Sequence, residues 1–121
     1  MPKVRFQGVL GWARMGGAQA MPVLLQALRD DAAMVRRLAA RELGRRKNAA
    51  ALQALVNTLQ QDMDVWVREA AARALGDLGH RGALPALQTV ARNKQEMGLV
   101  REAAAQAIQR INRRQKVRQQ P

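Results

Sequence analysis

The sequence lacks most of the side chains that carry out chemistry in enzymes. Its 121 residues include no cysteine, serine or tyrosine, one histidine (His80) and two threonines. Cysteine, serine and tyrosine nucleophiles are therefore excluded, and a single imidazole cannot form a cysteine or multi-histidine zinc site. We expect no catalytic residues, no metal ligands and no cofactor. The composition predicts that this protein is not an enzyme.

Aromatic residues and long apolar runs are also scarce. Aromatic side chains make up only 2% of the chain, whereas 48% of its residues are hydrophobic, which is too many for a disordered protein. No stretch approaches the roughly 18 consecutive apolar residues that span a bilayer, and the N-terminus lacks the pattern of a secretory signal. Since the absence of cysteine is compatible with a reducing compartment, we expect a cytoplasmic protein that does not bind membranes.

Positive charge dominates the polar residues. The chain has 21 Lys and Arg against 9 Asp and Glu, which gives a formal net charge of +12. Such an excess favours acidic partners, either acidic protein segments or nucleic acid.

An internal repeat organises the sequence. Val-Arg dipeptides begin at residues 4, 35, 67 and 100, at spacings of 31, 32 and 33 residues. The segments that begin at Val35, Val67 and Val100 align without gaps, and each has the i, i+3, i+4, i+7 apolar spacing of an amphipathic helix. A second apolar block recurs between the dipeptides. The pattern predicts seven helices, at about residues 2–14, 18–29, 33–45, 48–60, 65–77, 82–92 and 98–113.

Residues at the predicted helix ends support these boundaries. Gly44 and Gly76 fall where a helix is expected to end with a left-handed residue. Asp31 and Asp64 precede apolar helical segments, in positions typical of N-caps.

The repeated residues resemble a known family. The pattern Val-Arg-x-x-Ala-Ala-x-x-Leu-Gly, followed by an Ala-Leu-Pro-x-Leu helix and an acidic turn, resembles the HEAT repeat. It is similar, more narrowly, to the short HEAT-like repeats of phycobilisome bilin lyases. The resemblance implies an all-α fold, a right-handed α-solenoid of antiparallel helix pairs with about three and a half repeats and the Val-Arg helices on its concave side. We expect residues 1–112 to form a single domain and residues 113–121 a basic C-terminal tail.

The arginines of the Val-Arg dipeptides recur in every repeat, beside acidic turns. A structural role, in which each guanidinium bonds to an acidic turn and joins neighbouring repeats, is favoured over a phosphate-binding role. The arginines in this column are Arg5, Arg36, Arg68 and Arg101.

Positive charge that is not repeated is a better signal of function. Arg37, Arg41 and Arg45 form one stripe at i, i+4 and i+8, and Arg46 and Lys47 continue it. Because like charges at this spacing destabilise a helix, the stripe favours binding of an acidic partner or a phosphate. The alternative is that these arginines are merely solvated, or that the first of them pairs with Glu69. The predicted binding residues are Arg37, Arg41, Arg45, Arg46, Lys47, Arg73, Arg113, Arg114, Lys116 and Arg118.

Three other features stand apart from the repeat. Phe6 and Leu10 make the first helix apolar on a face that is charged in later repeats, which fits a piece of a longer solenoid, a homodimer through this helix, or docking of a partner. His80 is expected to be a solvated loop residue rather than a base. Glu42 occupies a repeat position at which the other copies have Gly or Ala. Its partner could be either a neighbouring arginine or a ligand.

Taken together, these features favour a non-enzymatic scaffold. Its concave arginine-bearing surface and basic tail would bind an acidic protein segment. Two alternatives stay open: a module that binds nucleic-acid phosphates without sequence specificity, and a subunit or fragment of a bilin lyase-type enzyme.

Overall fold

The computed structural model describes residues 2–15 and 17–119, with side chains from Arg5 to Gly11 and from Gly17 to Gln115. All regular structure in this part of the chain is helical, and the seven α-helices that the sequence predicts are confirmed. Short 3-10 turns at residues 49–51 and 81–83 lead into the fourth and sixth helices. The helices are α1 (Pro2–Met15), α2 (Ala20–Ala27), α3 (Ala33–Arg46), α4 (Leu52–Gln61), α5 (Val65–Leu78), α6 (Leu84–Arg92) and α7 (Gly98–Gln119).

The helices form a two-layered α-solenoid. The odd-numbered helices α1, α3, α5 and α7 pack side by side in one layer. Of the even-numbered helices, α2 packs against both α1 and α3, whereas α4 packs mainly against α5 and α6 mainly against α7. Neighbouring even-numbered helices barely touch one another. Since the odd-numbered layer is the tighter one, it forms the concave side of the stack.

Small residues bring the odd-numbered helices close together. A Cβ atom added at Gly44 would lie 2.6 Å from the Cα atom of Ala74, and one added at Gly76 would lie 3.1 Å from that of Ala107. Both glycines were expected to end their helices, which is wrong because each helix continues past its glycine. The residues that follow the last helical ones, Lys47 and Gly79, have the left-handed φ angles of 54° and 75°.

Only one of the two N-caps predicted from the sequence is present in the structure. Asp64 caps α5, because its carboxylate accepts hydrogen bonds from the backbone N–H groups of Trp66 and Val67 at 2.8 and 3.0 Å. Asp31 does not cap α3, which begins after Ala32 without a side-chain cap.

The last helix is longer than the sequence predicts. It was expected to end near residue 113, but α7 runs without a break to Gln119. The backbone of the basic segment from Arg113 to this point is therefore helical. Among the described residues, no helix combines the length and the apolar composition that a membrane span requires.

Two arginines of the Val-Arg dipeptides clamp neighbouring repeats together. Arg36 donates from Nε and Nη2 to the carboxylate of Asp62, at 2.9 and 3.2 Å. Arg68 donates in the same way to Glu96, at 3.0 and 2.9 Å. Each acceptor lies in the turn of the following repeat, so each guanidinium fork spans a repeat boundary.

A third arginine repeats this contact at the start of the stack. Nε of Arg5 lies 2.7 Å from Oδ2 of Asp30, in the turn before α3. A further hydrogen bond ties Arg36 to its own turn, where it donates to the backbone carbonyl of Asp30 at 2.9 Å. We call Arg5, Arg36 and Arg68 the arginine ladder.

The contacts of the ladder shift the pKa values of Arg36 and of two acceptor carboxyls. Burial raises the pKa of Asp30, but hydrogen bonds from a backbone N–H and from Arg5 outweigh this and hold that pKa below its ordinary value. Burial likewise opposes ionisation of Glu96, but hydrogen bonds from Arg68 and a backbone N–H lower its pKa. The hydrogen bond to the carboxylate of the following turn raises the pKa of Arg36.

Candidate anion-binding groove

Four arginines meet on the concave side of the solenoid. Arg37, Arg41 and Arg45 lie on one stripe of α3, and Arg73 lies opposite them on α5. These four side chains line a cavity of about 370 Å³, which we call the arginine groove. The structure thus brings together four of the residues that the sequence predicts to bind an acidic partner.

The local sequence explains this arrangement. Successive residues four apart lie above one another on a helix, so the three arginines of α3 point to one side. The glycine contact between α3 and α5 then brings the two helices close enough for both to line one cavity. The small side chains of Ala70 and Ala74 line the groove together with the arginines.

The carboxylates near the groove are engaged within their own helices. Glu69 accepts an ion pair from Nε of Arg73 at 2.9 Å, and Glu42 lies 3.7 Å from Nη1 of Arg45. The alternative in which Glu69 pairs with Arg37 is therefore wrong. Glu42, whose partner the sequence left open, lies beside an arginine of its own helix.

Arg37 has an aromatic partner instead. Its guanidinium carbon lies 5.5 Å from the centroid of the Trp66 ring, a cation–π contact. Trp66 is 51% exposed, and Met34 and Met63 are also exposed. This exposed apolar edge had no direct signal in the sequence, because Trp66 lies only one residue away from the buried face of its helix.

The remaining groove acid is neutralised by the last helix. Asp77 lines the groove and forms an ion pair with Arg110 of α7, and its backbone carbonyl accepts a hydrogen bond from Arg114 at 2.8 Å. Both of the groove's lining acids thus have arginine partners. Within the described part of the chain, no carboxylate pairs with Arg37 or Arg41. These two guanidinium groups are the ones open to an anion.

Arg46, Lys47 and Arg113, which the sequence also predicts to bind, do not line the groove. Arg46 is half-buried, Lys47 follows the last residue of α3, and Arg113 is exposed on α7. The side chains of Lys116 and Arg118 lie outside the described residues.

Phe6, Leu10 and His80 also have defined surroundings. Phe6 and Leu10 are half-buried against the core, so neither is fully available for association. His80 is exposed, and its Nδ1 accepts the backbone N–H of Gly82 at 2.9 Å. In the described chain, no group of three His, Cys, Asp or Glu side chains is placed to hold a metal ion.

Comparison with known proteins places these features in a family. A model of HEAT repeats matches residues 2–62 and 52–119. The chain belongs to the HEAT-repeat family. This result confirms the resemblance found in the sequence, and it agrees with the helix pairs of the fold.

Curated HEAT-repeat relatives of this chain are enzymes or enzyme subunits. Phycocyanobilin lyase subunit alpha of Picosynechococcus sp. is 40% identical over 87 residues, which are 66% of this chain and 32% of that protein. Deoxyhypusine hydroxylase of Drosophila melanogaster is 33% identical over 87 residues, 71% of this chain and 29% of that protein. The chain thus spans about a third of the length of the curated relatives it matches.

A solved structure agrees with these relatives. Human deoxyhypusine hydroxylase in complex with glycerol matches all of this HEAT-repeat chain and 42% of its own chain, with a TM-score of 0.86 and 28% sequence identity.

These relatives correct the prediction of a non-enzymatic scaffold. That prediction rested on missing nucleophiles, and it is wrong because the matched proteins are a hydroxylase and a lyase subunit. The comparisons favour an enzyme-related role. A scarcity of nucleophiles is a weak argument here, since substrate binding and orientation contribute to catalysis without them.

Proposed function

We propose that this chain is the substrate-binding HEAT-repeat part of an enzyme of the bilin lyase type, and that the arginine groove holds the carboxylates of the bilin. The observation that carries this proposal is the convergence of four guanidinium groups on one cavity. A bilin is an open-chain tetrapyrrole with propionate side chains, which are ionised at neutral pH. The lyase relatives act on such a molecule, as the name of phycocyanobilin lyase states.

The groove has the chemistry that carboxylate binding requires. A guanidinium fork can donate two parallel hydrogen bonds to one carboxylate, and such bonds are stronger than those between neutral groups. Arg37 and Arg41 lie one helical turn apart, so each can meet a separate oxygen of the ligand. The cavity walls exclude part of the solvent, which strengthens the attraction between opposite charges.

The apolar edge next to the groove suits the rest of a tetrapyrrole. Trp66 lies under the guanidinium of Arg37, and Met34 is three residues before Arg37 on the same helix. Exposed tryptophan and methionine side chains offer a polarisable surface for a flat conjugated ligand. Anionic and apolar parts of one ligand would thus meet adjacent parts of this surface.

The same charges disfavour the substrate of the hydroxylase relatives. Deoxyhypusine is a lysine derivative with an added aminobutyl group, so its side chain carries amines that are protonated at neutral pH. A groove with two unpaired arginines repels such a cation. The groove therefore favours the bilin over deoxyhypusine.

Titration of the chain with phycocyanobilin, followed by absorbance and fluorescence of the pigment, tests this proposal. We expect Arg41→Gln to weaken binding by about tenfold or more, as for loss of a charged contact to a partly buried ligand. Arg92→Gln is the matched control, because Arg92 is exposed on α6 in the other layer and should leave the affinity unchanged. Equal affinity of the two variants, or no binding of the pigment, would contradict the proposal.

A further inference from the structure

One carboxylate of the arginine groove is shared with the next helix of the concave layer. Asp77 of α5 lines the groove together with Arg45 and Arg73. It also lines a second, smaller cavity of about 230 Å³ between α5 and α7, which Arg110 lines from the other side. An ion pair of 2.5 Å joins Oδ1 of Asp77 to Nη2 of Arg110. The charge of Asp77 therefore depends for its balance on α7.

The repeat does not require an acid at this position. At the same distance from the Val-Arg dipeptide, α3 has Arg45 and α7 has Arg110. Asp77 thus has an arginine before it and after it in the stack. It pairs with the one from α7, whereas Arg45 lies beside Glu42 of its own helix. Since the neighbouring repeats are built without an acid here, Asp77 has a local role.

The packing of α7 on α5 places this arginine. A Cβ atom added at Gly76 would lie 3.1 Å from the Cα atom of Ala107 and 3.3 Å from Nη1 of Arg110. The guanidinium thus occupies space that a side chain at Gly76 would take. Arg114, one turn further along α7, donates to the backbone carbonyl of Asp77 at 2.8 Å. This second contact links α7 to the end of α5 without using the carboxylate.

The ion pair matters more for the groove than for the fold. Its two side chains are 40% and 35% exposed, so solvent screens their attraction and the pair adds little to stability. In the groove, a carboxylate without its partner would repel an anionic ligand and attract the guanidinium groups that the ligand needs. The pairing with Arg110 thus removes a competitor of the ligand.

We propose that Arg110 is a positioning residue of the arginine groove, and that it raises the affinity of the groove for carboxylate ligands by neutralising Asp77. It acts through the charge of Asp77 and not by touching the ligand. This inference rests on the anion-binding role proposed for the groove, but it does not require the ligand to be a bilin. It makes α7 part of a site whose other charged walls belong to α3 and α5.

Two single variants distinguish this role from that of a simple link between α5 and α7. Asp77→Asn and Arg110→Gln break the same ion pair, so a purely structural link predicts the same effect of both on ligand binding. The proposed role predicts different effects, because only Arg110→Gln leaves an unpaired carboxylate in the groove. Circular dichroism checks that each variant keeps its helices.

Calorimetric titration of the whole chain with citrate measures these effects. We expect Arg110→Gln to weaken citrate binding by about fivefold, and Asp77→Asn to leave it unchanged or tighter. The double variant should bind at least as tightly as the native chain, since no unpaired carboxylate remains. Equal losses in the two single variants, or a double variant as weak as Arg110→Gln, would overturn the proposal.

Two further variants control for net charge. Arg113→Gln and Asp31→Asn change the net charge by the same amounts as the test variants, but both residues are exposed and neither lines the groove. Both should leave the affinity for citrate unchanged. An equal loss in Arg113→Gln and Arg110→Gln would overturn the proposal, because the net charge of the molecule would then set the affinity.

Titration with phycocyanobilin separates this inference from the proposed function. If the pigment does not bind but citrate shows the expected pattern, the bilin proposal fails and the role of Arg110 stands. If the pigment binds the native chain and Arg110→Gln with equal affinity, the role of Arg110 fails and the bilin proposal stands. Absence of binding by both anions would overturn both.

Discussion

At the scale of single residues, the arginine ladder shows how one side chain can join two repeats. Arg68 holds the carboxylate of Glu96 with two hydrogen bonds and also binds the backbone carbonyl of Asp62 at 2.9 Å. The side chains of this ion pair are only 17% and 12% exposed, so solvent screens it weakly. Loss of one partner leaves the other charge poorly solvated.

The lowered pKa of Glu96 predicts a specific dependence of stability on pH. Arg68→Met should lower the free energy of unfolding by about 1–3 kcal/mol at neutral pH. A carboxyl group whose pKa is lower in the folded state stabilises the fold above its ordinary pKa of about 4.3, and this contribution is lost as the pH falls through the lowered value. The difference in melting temperature between the native chain and the variant should therefore narrow below about pH 4. A constant difference from pH 7 to pH 2 would contradict this prediction.

Substitution of Gly by Ala should have opposite effects on the free energy of unfolding at two positions. Gly44→Ala places a methyl group 2.6 Å from the Cα atom of Ala74 and should cost about 1–3 kcal/mol, because the backbones of two helices must move apart. Gly11→Ala is the control, since nothing lies within 4 Å of an added Cβ atom there. It should stabilise α1 by about 0.5–1 kcal/mol through helix propensity. Chemical denaturation measures both, and a neutral Gly44→Ala would contradict the close approach.

At the scale of helices, the start of α5 depends on a single carboxylate. Asp64 accepts two backbone N–H groups, whereas Asp31, at a similar place before α3, accepts none of the hydrogen bonds described at that helix start. The difference arises because Ala32, one residue after Asp31, occupies the N-cap position of α3, whereas Asp64 itself occupies that position before α5.

This difference predicts unequal effects of two similar variants. Asp64→Ala should lower the free energy of unfolding by about 1 kcal/mol, because two N–H groups at the start of α5 lose their acceptor. Asp31→Ala should change it by less than about 0.5 kcal/mol, since its exposed side chain caps no helix. Urea unfolding of the two variants is the measurement, and equal losses would show that the carboxylate of Asp64 is not a functional cap.

The helices could be predicted from sequence because their signal is repeated and local. Three gapless copies of one amphipathic block fix both the period and the buried face, and all seven helices follow. The roles of Gly44 and Gly76 could not be predicted in this way. A glycine that ends a helix and one that permits a close helix crossing look alike in sequence, and only the position of Ala74 or Ala107 distinguishes them.

The groove was only partly predictable. The stripe of Arg37, Arg41 and Arg45 follows from helical spacing alone. The contact partner of Arg37 could not be predicted from helical spacing, because the rotamers of Trp66 and Glu69 decide between an aromatic and an ionic contact. The sequence left the enzyme-related role only as an alternative, because the comparisons that favour it involve proteins about three times the length of this chain rather than nucleophiles within it.

At the scale of the whole molecule, unbalanced positive charge makes stability sensitive to anions. The net charge of +12 creates self-repulsion, and the arginine groove concentrates part of it between α3 and α5. An anion that binds only the folded chain stabilises it in proportion to the logarithm of its concentration.

Citrate, which carries several carboxylates, should therefore raise the melting temperature more than chloride at the same ionic strength. The effect should shrink in a combined Arg37→Gln and Arg41→Gln variant, because the groove then lacks its two unpaired guanidinium groups. Differential scanning fluorimetry across citrate concentrations provides the measurement. An equal gain for the native chain and the variant would place the anion elsewhere on the surface.

The arginine ladder also has a mechanical consequence. Each ion pair joins parts of the chain that are 25 to 28 residues apart, about one repeat, and all of them run in the same direction along the stack. A molecule pulled by its two ends would load these links one after another, so its extension trace should show steps of about one repeat rather than a single rupture. The solenoid would then act as a spring whose stiffness is set by three arginines.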